Sequence, residues 1–158
     1  MDISIAATSD MGLVKNIITV PEIWERAAED GMDPELYEPT YNPLCGWLIC
    51  RKDEEIIGLI LVHFDNSTSL KIHPYLFKEY RFLGRDVMKK FYQWVLEIKT
   101  INKVISIIPE NQKKVYNFAK KVGFIDEGVN RHSYKRDGNI YDQWYLGITR
   151  NEIEDYLK

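Results

Sequence analysis

The sequence has few cysteines and no long apolar run. Cys45 and Cys50 are its only cysteines. Because they lie five residues apart in a strand-like stretch, their side chains point to opposite faces and we expect free thiols. No apolar run approaches the about 20 residues that a membrane helix needs, and the N-terminus has no charged-then-apolar signal pattern. We therefore expect a soluble, cytoplasmic protein with no membrane partner.

The sequence also lacks an excess of positive charge. It has 21 lysines and arginines against 24 acidic residues, a net charge of −3, whereas a general nucleic-acid-binding surface is basic. The three histidines are scattered and, together with the cysteines, show no metal-ligand spacing. Neither Gly-x-Gly-x-x-Gly nor Gly-Lys-Ser/Thr occurs, which argues against an unrelated nucleotide-binding domain. We expect no nucleic-acid partner and no metal.

The sequence does contain enough apolar residues for one core. Of its 158 residues, 45% are hydrophobic, and this length fits one domain, residues 1–158. Apolar side chains recur every three or four positions in 84–99 and 113–122, which predicts two amphipathic helices. Short β-branched runs predict strands. The predicted strands are 47–50, 56–64, 69–73, 104–108, 131–136 and 141–148, and the segment ending at Gly31 is predicted to be helical, followed by a proline-rich loop at 32–44.

The order of these elements predicts the sheet. The first three strands form a meander, and Asp137-Gly138-Asn139 predicts a hairpin between the last two. The helix between strands 69–73 and 104–108 is long enough to cross over, so these two strands are predicted to be parallel. The expected fold class is α+β, with a mostly antiparallel central sheet, one parallel strand pair and about four helices.

The segment Arg81-Phe82-Leu83-Gly84-Arg85-Asp86 is a candidate anion site. A loop that leads directly into a helix leaves the first N–H groups unpaired, and the helix dipole adds partial positive charge there. Arg81 and Arg85 would add charge-assisted contacts to phosphate, whereas Asp86 brings like charge. The segment therefore predicts a pyrophosphate site, and the alternative is a strand-to-helix connection with solvated charges.

These residues resemble the GCN5-related N-acetyltransferase (GNAT) family. The acetyl-CoA loop of that family reads Gln/Arg-x-x-Gly-x-Gly/Ala, which this sequence matches at Arg81 and Gly84 but not at Asp86. A later family motif, an Asn-led helix ending in Lys-x-Gly-Phe and followed by Glu-Gly, is echoed by Asn111, Lys120 to Phe124 and Glu127-Gly128. The resemblance covers roughly residues 45–150. It implies the GNAT fold, in which the parallel strand pair is splayed apart.

The resemblance also implies a co-substrate and a reaction. Acetyl-CoA would lie along the splayed end of the fourth strand, and its acyl group would pass directly to an amine on a small molecule or a protein. The implied cofactor-binding residues are Arg81, Phe82, Leu83, Gly84, Arg85, Asp86, Asn111 and Gln112.

Catalytic and acceptor-binding residues are harder to assign. Many family members use a Tyr four residues before the motif glycine as an acid, and Ala119 occupies that position here. Tyr116, three residues earlier, is the substitute candidate, and His73 is the candidate base, with packing roles as the alternative for both. The expected acceptor wall is Trp24, Tyr37 and Tyr41.

A second hypothesis is a non-catalytic binding or assembly module. Ala119, Asp86 and Gln112 depart from the family pattern, and a fold does not determine a function. The patterns at 108–109, 118–124 and 141–143 look most like phage-encoded members, some labelled as head-assembly proteins, which would place the chain in a host cytoplasm. A basic cluster could meet the adenosine phosphate of coenzyme A or an acidic partner, or remain a solvated helix face. Its members are Lys103, Lys113, Lys114, Lys120 and Lys121.

Overall fold

The computed structural model describes residues 1–158 and contains a single seven-stranded sheet. The strands are β1 (Ile3–Thr8), β2 (Cys45–Lys52), β3 (Glu55–Phe64), β4 (Ser69–Leu76), β5 (Lys103–Pro109), β6 (Ile125–Arg136) and β7 (Asn139–Thr149). The helices are α1 (Met11–Ile18), α2 (Pro21–Ala27), α3 (Gly84–Glu97), α4 (Lys113–Lys121) and α5 (Arg150–Leu157), and Lys78–Leu83 forms a 3₁₀ helix. No helix is long and apolar enough to cross a membrane.

The strand order confirms the predicted fold class. The sheet runs β1-β2-β3-β4-β5-β7-β6, and every neighbouring pair is antiparallel except β4 and β5. The predicted meander, crossover and final hairpin are all present. Asp137 and Gly138 both have positive φ, 52° and 76°, which is the turn geometry that an Asp-Gly hairpin adopts.

Two terminal elements differ from the prediction. Ile3–Thr8 is an edge strand rather than a helix, and Ile3 is its only buried residue, so the strand shows little alternation. Helix α5 extends the expected four helices to five. Its capping box, in which Thr149 and Glu152 exchange side-chain-to-backbone hydrogen bonds, is a sequence signal that could have revealed it. Helix α2 also ends at Ala27, before Gly31.

Helices cover both faces of the sheet. Alternate residues of β2 point to opposite faces: Leu48 and Cys50 belong to a large core that includes α3, whereas Trp47 and Ile49 belong to a smaller core with α1 and α2. Both cysteines are free, as expected, and Cys50 is buried. The sheet is therefore the middle layer of three.

The parallel pair is short and opens into a gap. Only three residue pairs join β4 to β5, and the last of them is Lys71 with Ile105. Beyond that pair β4 stays bonded to β3, and β5 stays bonded to β7. Each strand is therefore held on its outer side, while their facing edges separate.

Pro74 lies on the edge of β4 that faces this gap. The Phe77 N–H donates to Ile57 O, and because backbone groups alternate in direction along a strand, those of Tyr75 also point to β3 while the Pro74 nitrogen points to the gap. A proline is tolerated there because the β3–β4 ladder loses no hydrogen bond. It also means that position 74 offers no N–H to a ligand.

Gly58 allows β3 to approach the end of β4 closely. It has φ +158°, and a Cβ built on it would collide with Tyr75 O and lie 2.8 Å from Leu76 Cα. Both atoms belong to backbone that continues into the gap edge. We expect Gly58→Ala to lower the free energy of unfolding by about 2–3 kcal/mol, because either the strands separate or the backbone is strained.

Urea denaturation followed by circular dichroism measures this change. Gly12→Ala is the matched control: its Cβ would meet only Asp10 Oδ1 at 3.5 Å, within helix α1, where alanine is favoured over glycine. Equal stabilities for the Gly58→Ala protein and the wild type would contradict the close approach.

Candidate active site

The gap between β4 and β5 contains a cavity that continues into a groove. The cavity, which we call the gap cavity, has a volume of about 270 Å³ and is lined by residues 72–75 of β4 and 106–109 of β5. The groove, which we call the α3–α4 groove, has a volume of about 550 Å³ and lies between the start of α3 and residues 111–118. The two spaces adjoin, since both are lined by Arg26, Pro74, Gln112 and Val115.

The α3–α4 groove is cationic. Its charged lining residues are Arg26, Arg81, Lys113 and Lys114, and no carboxylate lines it. The Lys113 ammonium lies 4.4 Å from the centre of the Tyr116 ring. The groove therefore suits an elongated anion.

Only some of the predicted cofactor-binding residues line the α3–α4 groove. Arg81 and Gly84 line the groove, as do Asn111 and Gln112 from the other side. The remaining residues of the segment do not: Leu83 is buried in the core, Phe82 is 74% exposed, and Arg85 and Asp86 are exposed outside the groove.

Residues 81–86 are helical rather than forming the predicted loop. Residues 81–83 belong to the 3₁₀ helix, and the Gly84 N–H donates to Arg81 O, so this donor is already paired rather than free. Gly84 is needed for packing, because a Cβ there would lie 3.0 Å from the Phe118 ring. Close contact between α3 and α4 thus shapes the groove wall.

Two of the five lysines in the predicted basic cluster are paired with carboxylates. Lys103 pairs with Glu127, and Lys120 pairs with Asp126 at 2.7 Å. Of the five lysines, only Lys113 and Lys114 line the groove. The cluster is therefore divided: two lysines are paired, two line the groove, and Lys121 does neither.

His73 lines the gap cavity. It lies within β4, opposite Leu61 of β3, and the strand continues past it to Leu76 rather than ending there. Burial, with smaller contributions from Lys71 and His63, lowers the pKa of His73 to about 4. The imidazole is therefore neutral at pH 7, with a lone pair available to accept a proton.

Tyr116, the predicted substitute acid, lines neither the gap cavity nor the groove. Its hydroxyl donates to Asp126 Oδ2 at 2.8 Å, and its ring centre is 4.3 Å from that of Trp144. This face of α4 packs on β6 and β7, whereas Ala119 faces the core. Helix α4 therefore brings no hydroxyl to the gap.

The residues predicted to form the acceptor wall do not line the gap cavity either. Trp24 and Tyr37 pack edge-to-face at 5.3 Å, Tyr41 is 61% exposed, and none of the three lines the gap cavity. Tyr75 and Tyr134 line it instead. Tyr75 could have been found from the sequence, because the spacing of His73, Tyr75 and Phe77 continues the strand past Pro74.

Hydrogen bonds between segments far apart in the sequence build the outer wall of the gap cavity. The Tyr134 hydroxyl and the Arg136 guanidinium both donate to Ala28 O, at 3.2 and 2.8 Å. The Asp30 carboxylate accepts hydrogen bonds from the Asp137 and Gly138 N–H groups. These bonds hold the β6–β7 hairpin against the end of α2, beside the gap cavity.

A mixed sheet with one short parallel pair, a gap beyond it and a groove at the start of the following helix defines the GNAT fold. No protein-family model matches the chain, and no curated protein matches it by sequence. Among solved structures, it is similar to spermidine N-acetyltransferase from Vibrio cholerae in complex with CoA and spermine, with a TM-score of 0.80 and 13% identity over 96% of this chain and 98% of that one.

A second solved structure shows the same similarity of fold. Mutant forms of the spermidine/spermine N-acetyltransferase SpeG from Vibrio cholerae align with a TM-score of 0.80 and 14% identity, covering 99% of this chain and 98% of that chain. At such low identity the similarity establishes the fold. The comparisons give no support to the narrower resemblance to phage-encoded head-assembly proteins.

The half-buried, neutral His73 should make stability depend on pH. Its pKa of about 4 lies below the usual 6.5, so the unfolded chain binds the extra proton first as the pH falls. We expect the free energy of unfolding to decrease between pH 6.5 and pH 4, by at most about 3 kcal/mol from this residue.

Denaturant titrations across this range, with wild type and His73→Gln, measure that contribution. The variant should show a shallower dependence on pH. His132→Asn, an exposed position on β6, is the control and should retain the wild-type slope. Parallel curves for wild type and His73→Gln would show that His73 is not buried in its neutral form.

Proposed function

We propose that the protein is an acyl-CoA-dependent N-acyltransferase that uses acetyl-CoA and transfers the acyl group directly to an amine. The observation that carries this proposal is the continuity of a cationic groove with a cavity between two separated strands. A phosphate-bearing, elongated co-substrate fits the groove, and its acyl end would reach the gap cavity. The GNAT fold and the similarity to structures of amine acetyltransferases support it.

The residues of the groove fit coenzyme A in charge and shape. Arg81 and Lys114 would hold phosphate groups through charge-assisted contacts. Gly84 keeps the floor of the groove open beside Phe118, and Pro74 and Gln112 lie where the groove meets the gap cavity. Acetyl-CoA, when bound there, supplies the activated thioester.

Transfer needs no covalent enzyme intermediate. The amine nitrogen attacks the thioester carbonyl, a C–N bond forms, and the C–S bond breaks to release the thiolate. His73 accepts the proton that the nitrogen loses, directly or through water, and the thiolate takes a proton from solvent. Because a pKa near 4 makes His73 a weak base, we assign most of the rate to positioning of the two substrates.

A second candidate function is a binding module that retains the fold without turnover. Ala119 is buried in the core, at 6% exposure, so α4 supplies no acid to the leaving thiolate. Such a protein would bind acetyl-CoA, or a protein partner, without transferring the acyl group. A titration followed by an amine screen separates it from the enzyme.

Isothermal titration with acetyl-CoA tests the co-substrate. We expect micromolar binding, and we expect Arg81→Gln to weaken it by about threefold to tenfold, because one charge-assisted phosphate contact is lost. Arg85→Gln is the matched control: it removes the same charge four residues along the chain but outside the groove, and it should bind like wild type.

Two outcomes would contradict the proposal. One is the absence of both heat and thermal stabilisation up to millimolar acetyl-CoA, with ATP as a further control. The other is equal weakening by both variants, which would indicate only general attraction. Gly84→Trp is a poorer test, since the contact with Phe118 means that it would also disturb the packing of α3 on α4.

A further inference from the structure

Arg26 is an arginine without an ionic partner at the junction of the two spaces. It lies on α2 and lines both the gap cavity and the α3–α4 groove. Its side chain is partly buried, and it takes part in none of the salt bridges of the chain. Its backbone carbonyl accepts a hydrogen bond from Gln112 Nε2 at 3.4 Å, which fixes α2 beside the groove.

Arg26 is the one charged side chain in the lining of the gap cavity at pH 7. The other polar lining groups are the neutral His73, the hydroxyls of Ser106, Tyr75 and Tyr134, and the amides of Gln112 and Gln143. No carboxylate lines the cavity. Burial and the nearby Arg81 lower the pKa of Arg26, and Tyr75 and Glu25 offset this only in part, so its charge is incompletely compensated.

This charge pattern discriminates between classes of amine. A polyamine carries several positive charges, and in this cavity it would meet a guanidinium and no carboxylate to pair with. A carboxylate would pair with the guanidinium by two parallel hydrogen bonds and would compensate its buried charge. The cavity volume of about 270 Å³ suits a small molecule.

The phosphates of coenzyme A are a less suitable partner for Arg26. The groove has Arg81 and Lys114 to receive them, whereas Arg26 lies where the groove meets the gap cavity. At that junction the acyl end of the co-substrate, which carries no charge, would adjoin the acceptor.

We propose that Arg26 binds a carboxylate of the acceptor, so that the acceptor is a small amine carrying a carboxylate, such as an amino acid, and not a polyamine. This inference rests on the proposed acyltransferase function. Arg26 acts as a specificity residue, because it contacts the acceptor but takes no part in bond formation.

Steady-state kinetics with acetyl-CoA test the inference. The acceptor panel pairs amino acids with their amides, which retain the amine but lose the carboxylate charge, and adds spermidine. We expect kcat/KM for the best amino acid to exceed that for its amide, and that for spermidine, by at least tenfold. Arg26→Gln should raise KM for the amino acid at least tenfold and leave the amide almost unchanged, so the preference disappears.

Two further variants make the result specific. Arg26→Lys keeps the charge and should retain part of the preference, and Arg131→Gln, an exposed arginine on β6, should behave like wild type. Circular dichroism establishes that each variant is folded. Calorimetry should give the same acetyl-CoA affinity for Arg26→Gln and wild type.

The possible failures are distinguishable. Equal use of acids and amides, or a preference for spermidine, would overturn the inference and leave the acyltransferase function standing. A loss of acetyl-CoA affinity in Arg26→Gln would assign Arg26 to the co-substrate and overturn it as well. If wild type neither binds acetyl-CoA nor acetylates any amine, the proposed function fails, and the inference fails with it.

Discussion

The structure depends on the short contact between β4 and β5. Three residue pairs hold these parallel strands together, and beyond them each strand keeps its hydrogen bonds only to its outer neighbour. On their outer sides, β3 and β7 hold the two separated strands in place. Pro74 fits this arrangement, since its missing N–H lies on the open edge. The candidate active site is thus a break in a sheet whose strands are paired on both sides of it.

Charge is distributed unevenly around this break. The α3–α4 groove has four cationic side chains and no carboxylate, although the chain as a whole is acidic. Much of the remaining positive charge on α4 and β5 is paired, as in Lys120 with Asp126 and Lys103 with Glu127. Four cations without a salt-bridge partner line the space where an anionic co-substrate would lie. Arg26 continues that charge into the gap cavity, where His73 stays neutral.

The outcome for individual residues shows what sequence patterns can reveal. Arg81, Gly84, Asn111, Gln112 and His73 all line one or both of the two spaces, because β4, α3, β5 and α4, the elements that carry or flank them, were predicted in the correct order. The predicted catalytic and acceptor-binding residues that do not line these spaces differ in side-chain direction rather than in element type. Tyr116 is on the expected helix, but its side chain points to Asp126, and the Trp24–Tyr37 pair packs beside the cavity without lining it.

Sequence by itself determined six of the seven strands, the crossover and the final hairpin, because apolar periodicity, proline, glycine and the Asp-Gly turn act over a few neighbouring residues. Tertiary structure alone decided which side chains meet in the gap. Arg26, Tyr75 and Tyr134 come from α2, β4 and β6, and hydrogen bonds such as that from the Tyr134 hydroxyl to Ala28 O, 106 residues apart, bring them together. Such contacts depend on how the helices pack against the sheet, and a pattern of neighbouring residues does not determine that packing.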